Sequence, residues 1–130
     1  MIVDSSIIVA ILRGEPDAEQ FGALIAAKPD PVISAGNYLE TSIVIDKDRD
    51  AVLSAKLDAL LNELEIEIVP VTAEQAKLAR QAYRDFGKGS GHPARLNFGD
   101  CFAYALATER GEALLYKGDD FGHAGLVKVV

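Results

Sequence analysis

The chain has 130 residues, 49% of them hydrophobic, which suits one domain around a single core and is cramped for two. Its 20 acidic side chains against 13 basic ones leave a net charge of −7, which disfavours a protein that grips nucleic acid by bulk positive charge. The lone Cys101 excludes an intramolecular disulfide, and the opening MIVDSSIIVAIL lacks a basic start and carries Asp4, so a cytoplasmic protein with no membrane span is expected.

In chain order, residues 1–4 read as a short buried strand ending at Asp4, after which Ser5 or Ser6 can cap a helix that runs to Leu12 and stops at Gly14. Pro16 suits the start of a second helix, PDAEQFGALIAAK, with Phe21, Leu24 and Ile25 on one face and Pro29 and Pro31 ending it. PVIS is the next strand. From Asn37, NYLETSIVIDKD has the helical spacing of Leu39, Ile43 and Val44, although the β-branched run SIVI leaves a strand as the alternative. AVLSAKLDALLNELE carries the clearest helical stripe, Leu53, Leu57, Leu60, Leu61 and Leu64, and IEIVPV follows as a strand. Thr72 caps the helix AEQAKLARQAYRDF, which ends at Gly87 in the loop GKGSGHPARLN. The apolar helix DCFAYALATER ends at Gly111, and ALLY and LVKVV read as final strands separated by KGDDFGHAG. Strands alternating with helices imply a mostly parallel sheet covered on both faces, with functional groups beyond the carboxyl ends of the strands.

Acidic residues recur at those ends. Asp4 closes the first strand, Glu40 lies in the helix after the second, Asp100 opens the last long helix, and Asp119 and Asp120 follow ALLY. Gathered at one sheet edge, such carboxylates would repel one another unless protonated or bridged by a hard cation, and Mg²⁺ or Mn²⁺ prefers oxygen ligands of this kind. Each acid also has a structural reading. Glu40 stands three residues after Asn37, and Asp100 three after Asn97, as helix-start acids do; Asp4 can be an N-cap, and Asp119 and Asp120 turn residues.

MIVDSSIIVAIL, with Asp4, Ser5 and Ser6, resembles the opening of PIN-domain ribonucleases, and SAGNYLET is similar to that family's segment bearing its second acid, here Glu40. ARLNFGDCFAYALA resembles the third motif, with Asp100, and LLYKGDDF the fourth, where either Asp119 or Asp120 aligns with the family's acid. The similarity runs in order over nearly the whole chain, and GSGHPARLNFGD with LLYKGDDF resembles the VapC toxins of toxin–antitoxin pairs. The resemblance implies a three-layer α/β/α domain and a metal-dependent endoribonuclease. In it Asp4, Asp100 and Glu40 hold Mg²⁺, for which Mn²⁺ can substitute, and metal-activated water attacks an RNA phosphodiester in line. Ser6 and Asn97 would assist at a ligand or at the substrate phosphate, or serve only as helix-start residues.

The same resemblance implies a homodimer and a VapB-like antitoxin partner. The Leu-rich helix around 53–64 offers apolar surface for such contacts, and an acidic site invites a basic antitoxin side chain. RNA is expected to meet a local basic rim of Arg84, Lys88, His92 and Arg95, beside the loop that leads to Asp100. His92 and His123 lack paired metal-ligand spacing, and Cys101 reads as a small buried hydrophobe. A receiver-type magnesium-binding domain and a metal-dependent phosphatase are the rival functions. The receiver pattern needs paired acids after the first strand and an acceptor Asp after the third, whereas IVD supplies one acid and IVPVT none.

Overall fold

A computed structural model of the chain describes residues 1–125, so the expected strand LVKVV at 126–130 lies outside the described residues. The elements run β1 (Ile2–Val3), α1 (Ser5–Leu12), α2 (Ala18–Ala26), β2 (Val32–Ser34), α3 (Ala35–Asp46), α4 (Ala51–Glu63), β3 (Glu67–Val69), α5 (Ala73–Phe86), α6 (Phe98–Arg110), β4 (Leu114–Leu115) and α7 (Asp120–His123). The four strands form one sheet in the order β3-β2-β1-β4, every pair parallel, with Ile2 opposite both Val32 and Leu114.

Alternate strand residues point to opposite faces, and here both faces are apolar. Ile2, Val32 and Leu114 join one core with Ala82 of α5 and Ala103, Leu106 and Ala107 of α6. Val3, Ile33 and Leu115 join another with Ile7 and Ile8 of α1, Ile25 of α2, and Leu57 and Leu61 of α4. Two cores back to back make the three-layer α/β/α arrangement, and each fully buried Leu or Ile in them contributes roughly 2 kcal/mol. The leucine stripe of α4 is therefore committed to the core: Leu57 and Leu61 are buried, and Leu60 and Leu64 pack against the same cluster. Leu53 lies outside that cluster and is half-buried, and Val52 beside it is 66% exposed, so the apolar surface of α4 is confined to its first turn. The large exposed apolar side chains include Leu39 and Ile43 on α3, Tyr83 on α5 and Phe98 on α6.

Local capping sets most helix starts. Asp4, not Ser5 or Ser6, caps α1, its Oδ2 accepting the Ser6 N–H at 3.0 Å. Ser34, at the end of β2, accepts the Gly36 N–H at 3.2 Å, so α3 starts at Ala35, two residues before Asn37. The SIVI run is helical because Ile45 is buried in the core, and burial outweighs the weak preference of β-branched residues for strands. Pro16 precedes α2 by a turn instead of opening it. Thr72 caps α5 as its sequence indicates, accepting the Gln75 N–H at 3.1 Å. The last long helix begins at Phe98 instead of Asp100, and Gly111 ends it with φ 63°, the left-handed conformation that glycine adopts without strain. KGDDFGHAG contains the short α7. Among the described residues no helix is long and apolar enough to cross a membrane.

Candidate active site

The strand order reverses between β1 and β4, a position where open parallel sheets form a crevice at the carboxyl ends of their strands. Asp4 sits at that point. Its backbone N–H extends the ladder to Leu115 O at 3.0 Å, and its side chain then caps α1, so one residue ends the strand and starts the helix. Asp4 is only 4% exposed. Burial pushes its pKa up from the ordinary value, the charge of Glu40 adds to that rise, and hydrogen bonds from Ser6 oppose it.

Glu40 reaches the same crevice from α3, in the interior of the helix. It is not the N-terminal capping acid its spacing suggests, because Ser34 holds the cap. Its Oε1 accepts from Ser5 Oγ at 2.5 Å and from Asn37 Nδ2 at 3.3 Å. Its Oε2 fills the space beside Gly99 so closely that a Cβ there would overlap it. A side chain at position 99 and Glu40 in this pose cannot coexist. The first turn of α6 that meets Glu40 also favours an anion through the helix dipole.

Asp100 stands in that first turn. Its Oδ2 accepts the Asn97 N–H at 3.0 Å while Asn97 Oδ1 accepts the Asp100 N–H at 2.9 Å, a reciprocal capping box. The capping reading of Asp100 and Asn97 is thus realised, and both still line the crevice. Together with Asp4, Ser5, Ser6, Val9, Glu15, Glu40, Val44 and Lys117, they enclose a cleft of about 350 Å³. Lys117 Nζ is bonded to Glu15 Oε1 at 2.6 Å and Asp17 Oδ1 at 3.1 Å, and these partners raise its pKa. The one lysine is thereby engaged at the rim with Glu15, and Asp4, Glu40 and Asp100 are the other carboxylates that line the cleft. Among the described residues no three His, Cys, Asp or Glu side chains are grouped closely enough to hold one ion as they stand. The donor set nevertheless fits a hard divalent cation: all oxygen, with a buried carboxylate whose charge is disfavoured until a cation arrives. Mg²⁺ typically takes one or two carboxylates and completes its shell with water.

The cleft thus brings together Asp4, Glu40, Asp100, Ser6 and Asn97. Ser6 Oγ accepts the Lys117 N–H at 3.1 Å, which ties α1 to the segment after β4. Asp119 is not among the residues lining the cleft; it is exposed at the start of α7, near Tyr116, whose phenol is pushed up first by burial and then by the Asp119 charge. Asp120 begins α7, and its side chain lies outside the described ones. Of the basic rim, Lys88 and Arg95 line a hollow in the 87–95 loop, and Lys88 also borders an apolar hollow of about 560 Å³ that reaches Asn97 and so adjoins the cleft. Arg84 lines neither hollow. His92 lines the hollow in the 87–95 loop, its Nδ1 accepting the Ala94 N–H at 3.1 Å and its ring edge-on to Phe86. Sequence reasoning missed Lys117, visible only as the residue after ALLY, and Asn37, which reads in the sequence as a cap.

Residues 1–126 match the PIN domain family. The chain belongs to that family. Over 130 residues it is 55% identical to ribonuclease VapC28 of Mycobacterium tuberculosis, spanning 100% of this chain and 98% of that protein, which places it in the VapC ribonuclease branch. Among solved structures it is similar to VapC20 of M. tuberculosis, a sarcin–ricin loop cleaving toxin, with TM-score 0.74 and 23% identity over 98% of this chain and 97% of that one. A toxin–antitoxin complex from Klebsiella pneumoniae gives TM-score 0.69 and 19% identity over 92% and 88%. These two likenesses show the PIN fold. Neither the receiver nor the phosphatase alternative finds support in this family.

Proposed function

We propose that the chain is a toxin endoribonuclease that hydrolyses RNA phosphodiester bonds at the Asp4–Glu40–Asp100 cleft with the help of Mg²⁺ or Mn²⁺. The observation that carries the reading is the buried Asp4 carboxylate at the strand switch point, in a cleft that Glu40 and Asp100 also line. A divalent cation bound there would neutralise charge on the phosphate and lower the pKa of water at the site. The protein's own contribution is orientation and exclusion of bulk solvent. Asp4 is fixed by its cap, Glu40 by Ser5 and Asn37, and Asp100 by the capping box, so none of the three has to be ordered when substrate arrives. Ser6 and Asn97 stand on the cleft wall as hydrogen-bonding partners for the scissile phosphate, and Lys88 and Arg95 offer cations to flanking phosphates. Asp119, at the start of α7, has the weaker role of attracting a second cation from the rim.

The partners follow from the branch to which the chain belongs. A VapB-like antitoxin would silence the acidic cleft by inserting a basic side chain. A second copy would cover exposed apolar residues on α3 and α6, where Leu39, Ile43 and Phe98 are 59%, 60% and 79% exposed. The whole reading is tested by incubating the purified chain with RNA and Mn²⁺. Cleavage is expected with the wild type and not with Asp4→Asn, Asp100→Asn or excess EDTA. Unchanged cleavage by the two variants would remove the cleft from the mechanism.

A further inference from the structure

The Asn37 side chain is fully buried where three elements meet. Its Nδ2 donates to Gly99 O in α6 at 2.9 Å and to Glu40 Oε1 at 3.3 Å. Its backbone carbonyl accepts from Thr41 Oγ1 at 2.8 Å and has Ser5 Oγ, at the start of α1, 3.2 Å away. Since both partners of the amide nitrogen are acceptors, they also fix which way the amide points; exchanging O and N would set oxygen against oxygen.

The other half of the amide is anomalous. Asn37 Oδ1 is buried with no hydrogen-bond partner among the described residues. For packing alone, a leucine of similar volume would serve better. The polar contacts of the amide are those of its nitrogen, which joins Glu40 to the turn that carries Asp100. Two further contacts hold the Glu40 carboxylate at the cleft: Ser5 holds Oε1 toward α1, and Gly99 leaves the space that Oε2 fills.

We infer that Asn37 is a positioning residue for the reaction, its amide locking the Glu40 carboxylate to the first turn of α6 so that Glu40 and Asp100 meet a shared cation without rearrangement. The inference rests on the metal-dependent reading of the cleft. It differs from that reading in its consequence: Asn37 touches neither cation nor RNA, yet its loss is felt at both.

The test uses Asn37→Leu, which keeps the volume and removes the orphan acceptor, and Asn37→Ala, which leaves room for water. Each is measured for thermal midpoint, for Mn²⁺ affinity by calorimetry and for RNA cleavage. The expected result is a folded protein in which Mn²⁺ affinity is weakened about 10–100-fold and kcat is reduced with KM little changed. Wild-type Mn²⁺ affinity and kcat in either folded variant overturn the proposal. Failure of both variants to fold overturns it too, in favour of a purely structural pin. If the wild type binds Mn²⁺ but cleaves no RNA, the ribonuclease reading fails while the affinity comparison still decides the role of Asn37. A wild type that binds no Mn²⁺ sinks both.

Discussion

Asp4→Asn should make the cation-free protein more stable, the reverse of what a change at a buried hydrogen-bonded residue ordinarily does. Asparagine keeps the size of the side chain and an oxygen that can accept the Ser6 N–H, so the cap of α1 survives. What disappears is a charge on a residue that is 4% exposed, disfavoured chiefly by burial and then by Glu40. The sign follows from linkage. A carboxyl whose folded pKa lies above its ordinary value of 3.8 binds more protons folded than unfolded, so it costs stability increasingly as pH rises above that value. Each unit of elevation corresponds to about 1.4 kcal/mol, and in a domain of this size 1 kcal/mol moves Tm by roughly 4 °C. In EDTA at pH 7 the variant should therefore melt above wild type, with the gap closing toward pH 4. Asp4→Ala, which also forfeits the cap, should melt below the asparagine variant by the equivalent of about 1 kcal/mol. With Mn²⁺ at a hundredfold its Kd the wild type gains about 2.7 kcal/mol, which moves the comparison toward the wild type. A variant no more stable than wild type in EDTA at pH 7 would refute the claim that the cleft holds Asp4 in a strained, cation-seeking state.

Gly99→Ala drives a methyl into the space of Glu40 Oε2, so Glu40 must leave its pose; RNA cleavage should fall about 100-fold, with a loss of roughly 1–3 kcal/mol in denaturant melts. Retained activity would show that Glu40 works from another rotamer. Asn97→Ala removes half of the capping box and should cost about 1 kcal/mol of stability, read as a lowered urea midpoint at unchanged m-value. Lys88→Ala combined with Arg95→Ala should weaken RNA binding and flatten its salt dependence by about 0.7 in log–log slope for each phosphate no longer neutralised, leaving Mn²⁺ affinity unchanged. An unaltered slope would place the RNA path elsewhere.

The order of strands and helices, the caps at Thr72 and Asn97, the stop at Gly111 and the buried character of IV, VIS and LL were legible in the sequence, because each depends on neighbours within about four residues or on a run of apolar side chains. The acids Asp4, Glu40 and Asp100 were legible through the resemblance of their motifs, in which order along the chain stands in for position in space. The sequence could not say what each face or side chain would meet. Periodicity marked Leu57 and Leu61 as apolar without showing that they would join Ile7 and Ile8 of α1 and the sheet in one core, and loop composition counted His92 without showing that it would meet Phe86 and the Ala94 N–H. The same limit hid the parts that make a site of the acids. Asn37 meets Gly99 across 62 residues, Ser5 meets Glu40 across 35, and Lys117 meets Ser6 across 111. Such pairings have no local signature, since they come into being only when the parallel order β3-β2-β1-β4 sets the ends of β1 and β4 side by side and presses α3 against the head of α6. Short-range hydrogen bonding and hydrophobic runs therefore determined the elements, and the packing of elements distant in sequence decided which side chains share a cleft and which are turned away from it.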